Sequence, residues 1–380
     1  MPIALTPLIE TEDEQPPAPE SLGLALSGGG YRAMLFHAGS LWRMRDAGLL
    51  RYVTRVSSVS GGSIIAARLG LVWHRIDWDD QGESFRRQLV DPIRQLAGET
   101  VDWVAAAEGA LPFTTVGHQL AKAYGKHLLG DATLQDLPAD GEGPRFVINA
   151  TNLQSAALWR FSKAYMGDYR VGLAERPHLP LSWAVAASSG YPPILSPFEL
   201  DGREFEFKPV KGADLNQPGY TRDILLSDGG VYDNLGLEPL WRSCARLLVS
   251  DGGGRLAAEE KPLNHMTGQM GRVAGVIDNQ VRSLRKRMLM AAYKDRHDSA
   301  DYRGGAYWSI RTKAENYGVP SMAFPPQRAG QLAAIETRLA ALPDEDQMDL
   351  INWGYAICDA ALRSHVDTSM PIGHWPYPDD

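Results

Sequence analysis

Val56-Ser57-Ser58-Val59-Ser60-Gly61-Gly62-Ser63-Ile64-Ile65 decides how the chain folds, because a strand-forming run meets a helix-forming run inside it with no room for a loop. Val53, Thr54, Val56 and Val59 favour an extended backbone, whereas Ile64 to Leu69, with Ala66 and Ala67 between them, favours a helix. Joining the two requires a sharp turn at Ser60, and glycines at 61 and 62 let the backbone bend and neighbouring elements approach. A serine on such a corner carries its hydroxyl out of the sheet edge, beside the N–H groups of the next helix's first turn. Ser60 is therefore the candidate nucleophile. The usual elbow pattern is Gly-x-Ser-x-Gly; here Ser58 stands at the first glycine and Gly62 keeps the second.

Upstream, the apolar run Leu22-Gly23-Leu24-Ala25-Leu26 suits a buried parallel strand and ends in Ser27-Gly28-Gly29-Gly30-Tyr31-Arg32-Ala33. From Ala33 to Leu49, apolar residues recur at helical spacing. Two consecutive strand ends of a parallel unit place Gly28, Gly29, Gly30 and Ser60 at one edge of the sheet. Such glycines offer backbone N–H groups to an anion, either a phosphate or the oxyanion of acyl transfer. A phosphate loop would continue Gly-Lys-Ser/Thr, but Tyr31-Arg32-Ala33 follows; a dinucleotide turn would need an acid at the next strand tip, where Ser60 stands instead. Downstream, the strand Ile224-Leu225-Leu226-Ser227 delivers Asp228-Gly229-Gly230, and the strand Ala245 to Ser250 delivers Asp251-Gly252-Gly253-Gly254. By local pattern the two acids are rivals for the partner of Ser60.

The glycine run ending Tyr31-Arg32-Ala33-Met34, the stretch Ser58-Val59-Ser60-Gly61-Gly62-Ser63 and Asp228-Gly229-Gly230 together resemble the patatin-like phospholipases, and the Gly-Gly-Gly-x-Arg-Ala-Met form resembles their cytosolic phospholipase relatives. The resemblance runs from about residue 22 to 254. It implies a three-layer α/β/α fold with a central, mostly parallel sheet, and a Ser60–Asp228 dyad without histidine. It further implies an oxyanion hole at Gly28, Gly29 and Gly30, and Arg32 beside the oxyanion or a lipid phosphate. Ser58 for glycine and Asp-Gly-Gly for Asp-Gly-Ala are the departures; Gly229 and Gly230 allow close approach to the acid.

Composition sets outer limits. With 380 residues, 44% of them hydrophobic and 22% charged, the chain is expected to form one large globular domain over 21–380. A helical cap is expected at about 73–140, including the apolar stretch at 101–107, and a helical extension at about 270–380. Residues 1–20 hold several prolines and five acidic groups, which reads as a disordered arm and not a signal peptide. No apolar run approaches the roughly 18 residues that span a bilayer. The expected location is cytoplasmic, with a peripheral position at the inner membrane surface. A net charge of −8 opposes nucleic-acid binding. Cys244 and Cys358 lack ligand spacing and read as buried free thiols, and neither a metal nor a cofactor is expected. Val276 to Met288 combines an apolar stripe with Arg282, Arg285, Lys286 and Arg287, the pattern of a basic amphipathic helix that touches anionic lipid or presents a solvated face. Helices are also expected at Leu235 to Ser243 and Glu336 to Leu342, and Ser188 is expected to cap a helix end.

The expected activity is acyl-ester hydrolysis on membrane phospholipid, in lipid metabolism or as a membrane-degrading effector, with homo-oligomerisation allowed. Two alternatives stay open. One is a Ser-His-Asp carboxylesterase drawing on His265, His297, His365 or His374, all of which follow both aspartates in the chain. The other is a regulated effector or scaffold, latent until a small ligand such as a cyclic nucleotide, or an oligomer partner, activates it.

Overall fold

Leu22–Leu26 form the strand β1, buried at all five positions, in the interior of a sheet described here from a computed structural model covering residues 17–102, 115–254, 256–263 and 265–378. The other strands are β2 (Arg55–Val59), β3 (Arg145–Asn152), β4 (Ala157–Phe161), β5 (Tyr165–Asp168), β6 (Gly172–Glu175), β7 (Phe198–Asp201), β8 (Phe207–Lys208), β9 (Asp223–Asp228), β10 (Arg246–Asp251) and β11 (Gly304–Ser309). Their order is β11-β10-β1-β2-β3-β4-β5-β6-β8, parallel from β11 to β3 and antiparallel beyond it.

Alternating side chains sort the parallel half into two apolar layers. Leu24, Leu26, Leu248, Ala306 and Trp308 join the larger core, while Ala25, Leu247, Val249 and Tyr307 point to a smaller one on the other face. Helices α1 (Gly30–Asp46) and α2 (Gly61–Val72) contribute to the larger core. So do α3 (Val116–Tyr124), α4 (Leu181–Ser189) and α8 (Asp344–His365), with α3 packed against α4. The smaller core is closed by Leu235, Leu237 and Leu240, after the short α5 (Gly230–Asp233), and by Leu289 of the long α6 (Met266–Lys294). The fold is thus a three-layer α/β/α sandwich, as expected.

Three expectations need correction. The region at about 270–380 is no mere extension: β11 is an edge strand of the sheet, and α8 packs on α1 more extensively than any other pair of described helices. Glycines make that crossing close, since a Cβ on Gly39 would lie 1.8 Å from the Ile351 carbonyl oxygen and one on Gly354 would lie 2.0 Å from that of Phe36. Asp359 in α8 ties it down by accepting from Arg43 of α1 at 2.7 Å and from Arg363 at 2.7 Å, all three buried. Secondly, 336–342 is irregular; the helix before it is α7 (Pro326–Ala334), and after Pro343 the chain enters α8. Likewise Leu235 to Ser243 holds only the short helix Glu238–Trp241. Cys244 and Cys358 are buried free thiols. Residues 1–16 of the arm expected at 1–20, and most of the apolar stretch at 101–107, lie outside the described residues.

Candidate active site

Ser60 and Asp228 meet because two strands share one edge of β3. β2 runs parallel along that edge and ends with Val59 opposite Asn149. β4 occupies the other edge up to Asn152, so β9, which pairs antiparallel with Ala150 to Asn152, must take the edge that β2 has left. β9 comes from the opposite direction and stops with Asp228 opposite Ala150. The two strands therefore point at each other, one β3 residue apart, and the chain leaves the sheet at Ser60 on one side and at Gly229 on the other. Asp251 ends β10, which is separated from β2 by β1. Two strand spacings of about 4.8 Å each keep it from the elbow.

Ser60 adopts φ 51° and ψ −121°, one of three described non-glycine residues with positive φ. That conformation costs an ordinary residue about 1–3 kcal/mol, so the surroundings must hold it. They do so through Ser188 at the end of α4. The Ser60 N–H donates to Ser188 Oγ at 3.0 Å, and Ser188 Oγ shares a 2.8 Å hydrogen bond with Ser63 Oγ, which in turn donates to Ser58 Oγ at 3.0 Å. Ser58, standing where the elbow pattern has glycine, is thus part of the brace. Ser188, expected to cap a helix end, instead braces the elbow; its contact with Ser60 spans 128 positions and has no local signal. Ser188→Ala should cost about 1–3 kcal/mol by leaving the buried Ser60 N–H without a partner. Any catalytic loss it causes should be partly restored by Ser188→Thr, which unfolding and kinetic measurements on the two variants would compare.

The glycine loop lies against this elbow. A Cβ on Gly61 would come within 2.1 Å of the Gly30 carbonyl oxygen, one on Gly62 within 2.3 Å of that of Leu26, and one on Gly28 within 3.2 Å of Ser60 Cβ. Gly29 (φ 144°) and Gly30 (φ 62°) need glycine for their backbone as well. Gly28 differs from its neighbours, because its N–H already donates to the Asn234 carbonyl at 3.0 Å. Among the described residues, the N–H groups of Gly29, Gly30 and Gly61 have no protein acceptor. Gly30 opens α1 and Gly61 opens α2, so two helix N-termini converge on the same spot. Behind the loop, the fully buried His37 holds the Ser27 carbonyl with Nε2 at 2.9 Å and meets Ser250 Oγ with Nδ1 at 2.8 Å. Burial lowers its pKa to about 4, so the ring is neutral, and a carbonyl can only accept; the proton therefore sits on Nε2.

Asp228 is buried, and its Oδ1 accepts from the Gly230 N–H at 2.6 Å. A Cβ on Gly229 would lie 2.3 Å from the Asn149 carbonyl oxygen, so the acid motif needs glycine there for packing. Burial raises the carboxyl to about 7, opposed by hydrogen bonding from Gly230 and from the Ser60 hydroxyl and reinforced by Asp278. Oδ2 nevertheless has no partner at full hydrogen-bond geometry, so the serine contact is a loose one.

Arg32 is turned elsewhere. Expected beside the oxyanion or a phosphate, it is buried, with Nε donating to Gly252 O at 3.1 Å, Nη1 to Ile335 O, and Nη2 to Thr337 Oγ1 at 2.9 Å. The irregular segment at 335–339 thereby straps the glycine loop, with the Arg338 carbonyl also accepting from Tyr31 N–H at 3.0 Å. Asp251 likewise has its own partners: Arg282, the Tyr307 hydroxyl at 2.6 Å and the Gly253 N–H at 3.0 Å. The four histidines of the esterase alternative are engaged away from Ser60. His265 Nδ1 caps α6, His297 lies tilted against Tyr302, His365 packs on Tyr317, and His374 sits beside Tyr355, whose hydroxyl accepts its backbone N–H.

A family model for patatin-like phospholipase matches residues 24–241, more than half of the chain. Human GIVD cytosolic phospholipase A2 superposes with a TM-score of 0.51 at 15% identity, covering 88% of this chain and 58% of that one. The same human enzyme in complex with methyl gamma-linolenyl fluorophosphonate superposes with a TM-score of 0.52 at 15% identity, over 90% of this chain and 57% of that one. The putative meiotic phospholipase SPO1 of Saccharomyces cerevisiae is 47% identical over 47 residues, 12% of this chain and 7% of that protein. This chain therefore spans little more than half the length of the human enzyme and matches a small part of the yeast protein. On the family model and the fold together, the chain belongs to the patatin-like phospholipases.

Proposed function

We propose that the protein is a lipid acyl hydrolase of phospholipase A or lysophospholipase type, cleaving acyl esters through Ser60 and Asp228. The observation that carries this reading is the end-to-end meeting of β2 and β9 on one edge of β3, which sets a strained serine against a buried carboxylate whose pKa is near 7. Asp228, ionised, takes the Ser60 proton as Oγ attacks the ester carbonyl. The N–H groups of Gly29 and Gly30, with that of Gly61, receive the oxyanion; Gly28 shapes the loop without donating. The proton then passes from Asp228 to the departing alkoxide, the acyl-enzyme forms on Ser60, and water repeats the cycle with Asp228 again as base. Arg32 acts as a positioning residue, pinning the strap at 335–339 over the loop.

The human relative was solved with a fluorophosphonate that carries a long acyl-like chain, and such a reagent phosphonylates an activated serine with loss of fluoride. Incubated with this protein, it should label Ser60 alone, as read by peptide mass spectrometry, and Ser60→Ala should remove both the label and the ester hydrolysis. A folded Ser60→Ala variant that still turns over ester would falsify the assignment. Ser60→Gly should also be inactive yet at least as stable as the parent, because glycine carries no penalty for positive φ.

A further inference from the structure

The long helix α6 is inverted with respect to its sequence pattern. Three of the four cations at 282–287 turn inward and Arg287 stays exposed: Arg282 donates to Asp251 and to the Gly253 and Gly254 carbonyls at 2.8 and 2.7 Å, Arg285 to Glu238, and Lys286 lies 4.3 Å from the centre of the Tyr307 ring. The outward stripe is apolar. Met266, Met270, Val273, Ile277, Leu284 and Met288 follow one another at intervals of three, four or seven residues, with Met266 76% and Ile277 58% exposed. The stripe runs about 33 Å along the helix. An exposed apolar surface of that extent marks an interaction site.

The stripe is continuous with the rim of the candidate site. α6 packs on α5, which begins two residues after Asp228, and Asp278, the residue after Ile277, is close enough to Asp228 and Tyr191 to raise both their pKa values. Gly190 accepts the Asp228 N–H at 3.1 Å, and the turn that follows presents Tyr191 and Ile194 to solvent. Val231 in α5, three residues after Asp228, is exposed as well.

We propose that the outward face of α6, continued by Tyr191, Ile194 and Val231, seats the protein on a lipid bilayer by apolar contact, independent of lipid charge. The proposal rests on the lipid-ester reading above. A second copy of the chain on this face would bury the site's rim and shut the site from its substrate; a bilayer there brings the ester to Ser60. Because Arg282 and Arg285 are consumed by internal ion pairs, Lys286 lies on the Tyr307 ring and the chain carries a net charge of −8, the exposed Arg287 leaves anionic headgroups little attraction to add.

The test compares the parent with a Val273→Gln/Ile277→Gln/Leu284→Gln variant, all three positions being exposed and so tolerant of polar side chains. The parent should co-sediment with pure phosphatidylcholine vesicles as well as with phosphatidylcholine–phosphatidylglycerol vesicles, and high salt should not release it. The variant should bind both at least about tenfold more weakly and lose vesicle-lipid hydrolysis in proportion, while hydrolysis of a water-soluble short-chain ester is unchanged. Binding confined to anionic vesicles at low salt overturns the proposal. So does a variant that binds as the parent does, or a parent dimer that the variant dissolves without change in vesicle binding. The two readings fail separately: Ser60-dependent turnover of the soluble ester without vesicle binding removes the docking face alone, whereas α6-dependent binding without hydrolysis of any ester removes the catalytic reading and leaves the docking face standing.

Discussion

Asp228→Asn is expected to remove nearly all ester hydrolysis, by about a thousandfold or more, without loss of folded protein. An amide cannot accept the Ser60 proton, and no histidine is among the described partners of Ser60 or Asp228 to replace it. The amide oxygen still accepts the Gly230 N–H, so the turn at Gly229 and Gly230 survives. In the parent, the pH–rate profile should rise through about pH 7 and fall about tenfold per unit below it, because only the ionised carboxylate acts as base. That limb should be absent from whatever residual activity the asparagine variant retains.

The same substitution is expected to stabilise the protein in mild alkali. The folded pKa of Asp228 is raised from 3.8 to about 7, chiefly by burial. A raised carboxyl contributes stability that is fully present below pH 3.8 and is lost as pH rises through about 7, since the folded state must then hold a desolvated anion. The gap caps the effect at about 4 kcal/mol, and asparagine avoids it. Denaturant unfolding at pH 8 should therefore show the variant more stable than the parent, with the advantage shrinking toward pH 5. A variant less stable than the parent at pH 8 contradicts the burial of an anion at this site.

What could be read from the chain follows from how local each signal is. The Ser60 elbow and the glycine turn are written in adjacent residues, because a β-branched run, a positive φ and a helix start leave few sequences that fit. Nothing local tells that β9 runs antiparallel into the edge that β2 has left, although that is what brings Asp228 to Ser60 and leaves Asp251 two strands away. Arg32 and Ser188 show the same limit, since the partners of Arg32 lie 220 to 305 residues off and Ser60 lies 128 residues from Ser188. For α6 the pattern itself was readable but its sense was not. An apolar stripe ordinarily faces the core, and here a buried acid, Asp251, draws the arginine face inward and leaves the stripe outside.

Asp251→Asn should behave as the converse of Asp228→Asn. Asp251 is buried, accepts from Arg282, the Tyr307 hydroxyl and the Gly253 N–H, and lies in the field of Arg32. Burial alone would raise its carboxyl, but Arg282 foremost, then Tyr307 and Gly253, hold it below the ordinary carboxylate value. A depressed carboxyl contributes stability that is present above pH 3.8 and is lost as pH falls through the lower folded value. Asparagine keeps the hydrogen-bonding shape but strands Arg282, and with it the attachment of α6, beside a second buried cation. Removing one partner of such a pair costs about 3–5 kcal/mol, so the denaturation midpoint should fall sharply at neutral pH, with a smaller difference from the parent in acid. Turnover of a soluble ester per folded molecule should remain near that of the parent, because Asp251 does not touch Ser60. Measured side by side, one aspartate variant should be stable and inactive, the other unstable and active. If instead Asp251→Asn is stable and inactive while Asp228→Asn keeps its turnover, the base is Asp251, and the meeting of β2 and β9 is a packing feature without a catalytic role.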